Sequence, residues 1–243
     1  MPRNVYDDDR FFAEYGRLPR SVGGLDAAPE WPALRALLPP LGGRAVLDLG
    51  CGYGWVCRWT RAQGAARVVG VDLSERMLER ARAETADPGI LYMRADLEDF
   101  TPPAGPFDLV YSSLAFHYIV GLPRLLGLVH DALGPGGALV FSVEHPLYTA
   151  PSRPEWTTDG AGRAIWPLDR YLDEGPRTVT WLGRPVTKQH RTIATYVNAL
   201  GAAGFTVTHL DEWGPSPEQV AAHPEWANER QRPPFLLVAA RRA

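Results

Sequence analysis

Apolar and polar positions alternate along the middle of the chain in two rhythms. Short apolar runs, RAVLDLG (44–50), ARVVGVD (66–72), ILYMRAD (90–96), FDLVYSS (107–113) and GALVFSV (137–143), have the length and residue types of buried strands. Between them, apolar residues fall three and four apart near 53–63, over 74–84 and near 122–133, which predicts helices. Ser74 stands where an N-cap belongs, and Gly134–Pro135 stops the third helix. Such alternation predicts an α/β fold, a doubly wound parallel sheet with helices on both faces. A further helix over 192–204 and two closing strands, FTVTHLDEW and PFLLVAARR, complete a mostly parallel seven-stranded sheet.

Two stretches leave this rhythm. Residues 1–43 predict an N-terminal helical cap, whose Phe11, Phe12 and Tyr15 share one helical face and are expected to pack on the sheet. Asp7–Asp9 read as helix-start charges, favoured by the macrodipole. Residues 146–190, rich in Pro, Trp, Arg and Gly, form an insertion after strand five, with a hairpin expected at TVTWLGRPVTKQH. The expected organisation is one domain: cap 1–43, core 44–143, insertion 144–191, closing segment 192–243.

Composition narrows the function. The 243 residues carry a net charge of −3 without any dense basic run, which argues against nucleic acid or an anionic membrane as partner. No apolar stretch approaches a membrane span, and MPRNVYDDDR lacks a signal-peptide core. Cys51 and Cys57 are too few for a disulfide framework. The expectation is a reduced, cytoplasmic enzyme acting on a small molecule.

The chemistry concentrates at strand ends. VLDLGCGYGW places Gly50, Gly52 and Gly54 between a strand and a helix, where a tight turn brings backbone close to a ligand. A dinucleotide site wants Gly or Ala at the sixth position, which here is Trp55, so NAD is disfavoured. Asp72 ends the second strand, where a carboxylate suits two ribose hydroxyls. Asp96 ends the third, where it can accept from an adenine amino group.

Together VLDLGCGYG, VVGVDLS, RADLE and LGPGGALVFS resemble the class I S-adenosylmethionine-dependent methyltransferases, over about residues 44–143. The resemblance implies a Rossmann-like fold and S-adenosylmethionine as cofactor, with S-adenosylhomocysteine as product. It further implies that Gly50, Cys51 and Gly52 line the methionine portion and that Asp48 supports the glycine loop and faces the amino group. Asp72, with Leu73 and Met77 beside it, would hold the ribose. Asp96 and Leu97 would flank adenine, with Ser112, Ser113 and His117 near the methionine end. VYDDDRFFAEYGRLPRS, EHP and KQHRT are similar to a bacterial small-molecule subgroup, which implies Tyr15 and Arg20 near the cofactor.

The acceptor is expected beyond strands four and five. Tyr118, Trp181 and Lys188, the only lysine, are candidate substrate contacts, and Trp156 and Trp166 candidate pocket walls. Candidate catalytic groups are Glu144, His145 and His190, since an oxygen nucleophile needs a proton removed near neutral pH. Strand alternation sends Glu144 and His145 to opposite faces, so only one faces the pocket. The absence of a (D/N)PP(Y/F) motif after strand four and of metal-ligand spacing leaves a small organic acceptor, with oxygen favoured over nitrogen or carbon. A methyltransferase-like binding protein, or an enzyme using the cofactor in another reaction, is equally compatible with the intact glycine turn.

Overall fold

The structure is a computed structural model that describes residues 4–243. The cap holds α1 (Asp9–Tyr15), α2 (Pro19–Gly23) and α3 (Trp31–Ala36). Next come β1 (Ala45–Leu49), α4 (Trp55–Ala62), β2 (Arg67–Asp72), α5 (Glu75–Ala83) and β3 (Ile90–Arg94). The core ends with β4 (Phe107–Ser113), α6 (Leu122–Ala132) and β5 (Leu133–Glu144). The insertion carries α7 (Pro146–Thr149), the short pair β6 (Thr157–Thr158) and β7 (Ala164–Ile165), and a hairpin of β8 (Gly175–Trp181) and β9 (Arg184–His190). The chain closes through α8 (Ile193–Ala202), β10 (Phe205–Trp213), α9 (Pro217–Ala222) and β11 (Phe235–Arg242).

Seven strands form one sheet in the order β3-β2-β1-β4-β5-β11-β10. The first five run parallel, whereas β11 lies antiparallel to β5 and β10 antiparallel to β11. The parallel strands are mostly apolar because helices cover both faces, with Asp48 of β1 and Ser112 of β4 among the buried polar exceptions. On one face Leu47, Val69, Val110, Phe141 and Val143 meet Leu125, Val129 and Leu200 of α6 and α8. On the other, Val46, Val68, Leu109, Tyr111 and Val140 meet Trp31, Leu34, Cys57 and Leu78. The chain order reverses between β1 and β4, so a crevice opens there at the carboxyl ends of the strands.

The hairpin turn falls at Leu182 and Gly183, with φ of 49° and 73°, the left-handed pair that matches the strand twist. It carries Trp181 over the crevice. The cap aromatics depart from expectation: Phe11 packs edge-on to Trp181 and Tyr6, and Phe12 to Tyr53, so α1 lies against the hairpin and glycine loop rather than the sheet. Helical spacing defines an apolar face and leaves open which surface that face will cover.

Candidate active site

A cavity of about 580 Å³ fills the crevice at the carboxyl ends of β1 to β5. Asp48, Gly50, Cys51 and Gly52 line its middle, and Asp72, Leu73, Met77, Asp96 and Leu97 line one end. The cap and hairpin roof it with Tyr15, Arg20 and Trp181. Ser113, His117, Tyr118 and Glu144 bound the side beyond β4 and β5.

The glycine loop is shaped by left-handed backbone. Gly50 has φ of 80°, and a Cβ there would lie 2.5 Å from that of Ala115. Gly52, at φ of 52°, would point a Cβ at no protein atom within 4 Å, so any side chain would intrude on the cavity. The Gly52 N–H donates to Asp72 Oδ2 and the Ser74 N–H to Oδ1, both at 2.9 Å. These bonds fix the carboxylate and leave lone pairs on each oxygen. Burial nonetheless raises the Asp72 pKa above its ordinary value, against the pull of those backbone donors. Asp48 is buried and accepts from the Cys57 thiol at 3.3 Å. Desolvation pushes its pKa up to about 7.

At the far side, Glu144 receives the ammonium of Lys188 on Oε1, while its buried Oε2 has no partner among the described residues. Lys188 also sits 5.7 Å from the centre of the Trp181 ring. His117 accepts the Glu144 N–H at Nδ1, 3.3 Å away, so its proton is on Nε2. Burial first, and then the Lys188 and Arg191 charges, hold its pKa well below the ordinary histidine value. The imidazole there is neutral. Tyr6 and Tyr118 approach each other hydroxyl to hydroxyl at 3.3 Å.

Residues 46–137 match the family model of a methyltransferase domain. A crystal structure of an S-adenosylmethionine-dependent methyltransferase from Mesorhizobium loti is 56% identical, covering 90% of this chain and 100% of that one with a TM-score of 0.87. The chain belongs to the S-adenosylmethionine-dependent methyltransferases. A protein of Haemophilus influenzae is 38% identical over 98% of this chain and 97% of its own. The malonyl-[acyl-carrier protein] O-methyltransferase of Enterobacter lignolyticus is 36% identical over 63% of this chain and 54% of its length.

The site suits this methyltransferase's cofactor: a fixed carboxylate with spare lone pairs, a glycine cradle without side chains, and a buried acid near neutrality. Asp72 would hold the ribose hydroxyls, Asp96 the adenine edge and the glycine loop the methionine portion. Asp96 already caps its own turn through Oδ1 and the Glu98 N–H, leaving the other oxygen free for a ligand.

Several candidate residues lie elsewhere. Ser112 does not reach the cavity; its neighbour Ser113 does, and the Ser112 hydroxyl bonds the Leu49 carbonyl at 2.7 Å, locking β4 to β1. His145 is fully buried outside the cavity, accepting the Leu147 N–H at Nδ1 and donating from Nε2 to Glu212. His190 is also buried there, donating from Nε2 to the Tyr171 carbonyl and holding Thr149 at Nδ1. With both ring nitrogens engaged and neither ring in the cavity, the general-base expectation for His145 and His190 is corrected. Lys188 lies behind Glu144 rather than in the wall, since its charge is spent on that carboxylate. Trp156 and Trp166 surround the Arg232 guanidinium instead of the pocket. The cavity also contains Glu30, which the sequence does not single out because a lone acid in a cap segment carries no spacing signal.

Proposed function

We propose that this methyltransferase methylates the oxygen of a small, uncharged, hydroxylated aromatic molecule, with Glu144 as the proton acceptor. The observation that carries the reading is the buried, unpartnered Oε2 of Glu144 in the cavity wall. An unpaired carboxylate oxygen out of water is costly unless a donor reaches it, and an acceptor hydroxyl is such a donor. Tyr6, Tyr15, Tyr118 and Trp181 give the adjacent walls an aromatic character, which favours a flat apolar body. Among the described residues, Arg20 is the one lysine or arginine in the cavity wall, and Glu30 pairs it. That charge balance favours an uncharged acceptor over a carboxylate. The relative named for O-methylation supports oxygen as the accepting atom.

The cofactor supplies an electrophilic methyl group. The protein's own residues align the acceptor, exclude water and take its proton. Lys188 holds the Glu144 carboxylate in one orientation, and neutral His117 adds an N–H donor without adding charge. No helix among the described residues is long and apolar enough to cross a membrane, and we read the enzyme as cytoplasmic.

The test supplies S-adenosylmethionine with uncharged phenols and with carboxylates of equal size, and tracks S-adenosylhomocysteine and methylated product by mass spectrometry. Phenols are the expected acceptors, and Glu144→Gln should lower turnover by roughly 10²–10⁴-fold with cofactor affinity unchanged. Undiminished transfer by Glu144→Gln, or transfer to carboxylates alone, contradicts the reading.

A further inference from the structure

The two cysteines of the chain meet behind the glycine loop. Cys51 belongs to the loop and lines the cavity at 9% exposure, whereas Cys57, on the first turn of α4, has no exposed surface. Both side chains converge on Gly70 in the middle of β2. A Cβ there would lie 2.8 Å from the Cys57 Sγ and 3.0 Å from the Cys51 Sγ. The two sulfurs therefore flank one point, and the side chain that Gly70 lacks is the room they share. A glycine inside a buried strand weakens that strand, and the close approach of other groups is a common reason for one. Methyl transfer needs neither thiol.

We propose that Cys51 and Cys57 form a redox modification site, which closes to a disulfide when a peroxide enters the cavity in place of the cofactor. Cys51 reacts first, because it lines the cavity while Cys57 is sealed. One peroxide oxidises the Cys51 sulfur to a sulfenic acid and releases a water. The Cys57 sulfur then displaces that hydroxyl, which leaves as a second water, and the S–S bond forms. Asp48, which accepts from the Cys57 thiol at 3.3 Å, takes that proton and passes it to the departing hydroxyl. Burial above all pushes Cys51 up to about 11 and Cys57 well above its ordinary value, so both are thiols at rest. Protonated sulfurs react slowly, and the pair answers sustained rather than brief exposure to peroxide. The disulfide ties the residue between Gly50 and Gly52 to α4. Drawing Cys51 toward the helix disturbs the left-handed backbone of both glycines and the Gly52 N–H that holds Asp72. Oxidation and cofactor binding then oppose each other by the same factor, whichever comes first. That opposition rests on the methyltransferase reading of the cavity, whereas closure of the disulfide stands without it.

Thiol counting tests the site without any methyl acceptor. Cofactor-free and S-adenosylhomocysteine-saturated protein are each treated with hydrogen peroxide, denatured, labelled with N-ethylmaleimide and weighed by mass spectrometry. The cofactor-free chain is expected to lose both labels together and to become lighter by two hydrogens, with dithiothreitol restoring both thiols. The saturated protein keeps its labels under the same exposure. In calorimetry the oxidised protein should bind S-adenosylhomocysteine at least about tenfold more weakly, and dithiothreitol should restore the affinity. Cys57→Ala separates the disulfide from oxidation of Cys51 alone: peroxide is expected to leave its affinity unchanged. Two free thiols after prolonged treatment, a disulfide that forms equally fast with and without ligand, or equal losses of affinity in Cys57→Ala and the wild type would each overturn the proposal. Untreated wild-type protein that fails to bind S-adenosylhomocysteine would overturn the cavity reading instead, and the thiol count would still decide the disulfide.

Discussion

At the end of β5 the extended backbone turns Glu144 toward the cavity and His145 away from it. Pro146 sets the turn after them: it occupies the first position of α7, where a missing N–H costs nothing, and His145 becomes the cap that accepts from Leu147. Period-two alternation along GALVFSVE makes the separation of the two side chains legible in the sequence. The choice between them was not, because it depends on which face of β5 the cap leaves open. His145-Pro146 carried a usable signal, a polar residue before a proline at a helix start. His145→Ala is expected to destabilise the fold by about 1–3 kcal/mol, since the Leu147 N–H and Glu212 lose a buried partner. Thermal melting should register that loss while cofactor affinity stays unchanged; a fall in affinity at wild-type stability would return the histidine to the site.

Among the elements, the segment from Asn4 to Tyr15 is a strap tied at both sides of the cavity. Asp7 accepts from the Ser74 hydroxyl at 2.6 Å, which anchors the strap to the start of α5. Asp8 caps α1 through the Phe11 N–H and pairs with Arg184 of the hairpin at 2.8 Å. The acidic run thus holds both the helix start expected of it and three crossings that sequence does not display, the third joining Asp9 to Arg76, because the partners lie about 70 and 180 residues away. Hairpin and strap depend on each other: Trp181 packs on Phe11 and Tyr15, and Tyr6 meets Tyr118. Asp7→Ala removes one anchor worth about 1 kcal/mol, so cofactor dissociation should quicken roughly fivefold. Stopped-flow displacement measures this directly, and an unchanged rate would show that the strap does not govern release.

For the whole molecule, the sheet order, its parallel core and the antiparallel end are set by strand length, helix spacing and the interrupted pattern after residue 143. These features are local and repeat, so a single chain displays them. The gathering of Gly50, Gly52, Asp72 and Asp96 in one cavity was equally legible, because they sit at successive strand ends that the fold brings side by side. The cavity wall beyond β4 and β5 was less so. Its residues come from β5, the hairpin and the cap, and long-range packing alone decides that Glu144 and Glu30 face inward while His145 and His190 are consumed as structural hydrogen-bonding groups. The central claim is that this cavity holds an adenosyl thioether or sulfonium through Asp72. Calorimetric titration of S-adenosylhomocysteine into wild-type protein and Asp72→Ala tests it most directly. The account predicts one-to-one binding to the wild type and a loss of at least about tenfold in Asp72→Ala, in keeping with two charge-assisted hydrogen bonds. Equal affinity in the two proteins would contradict it.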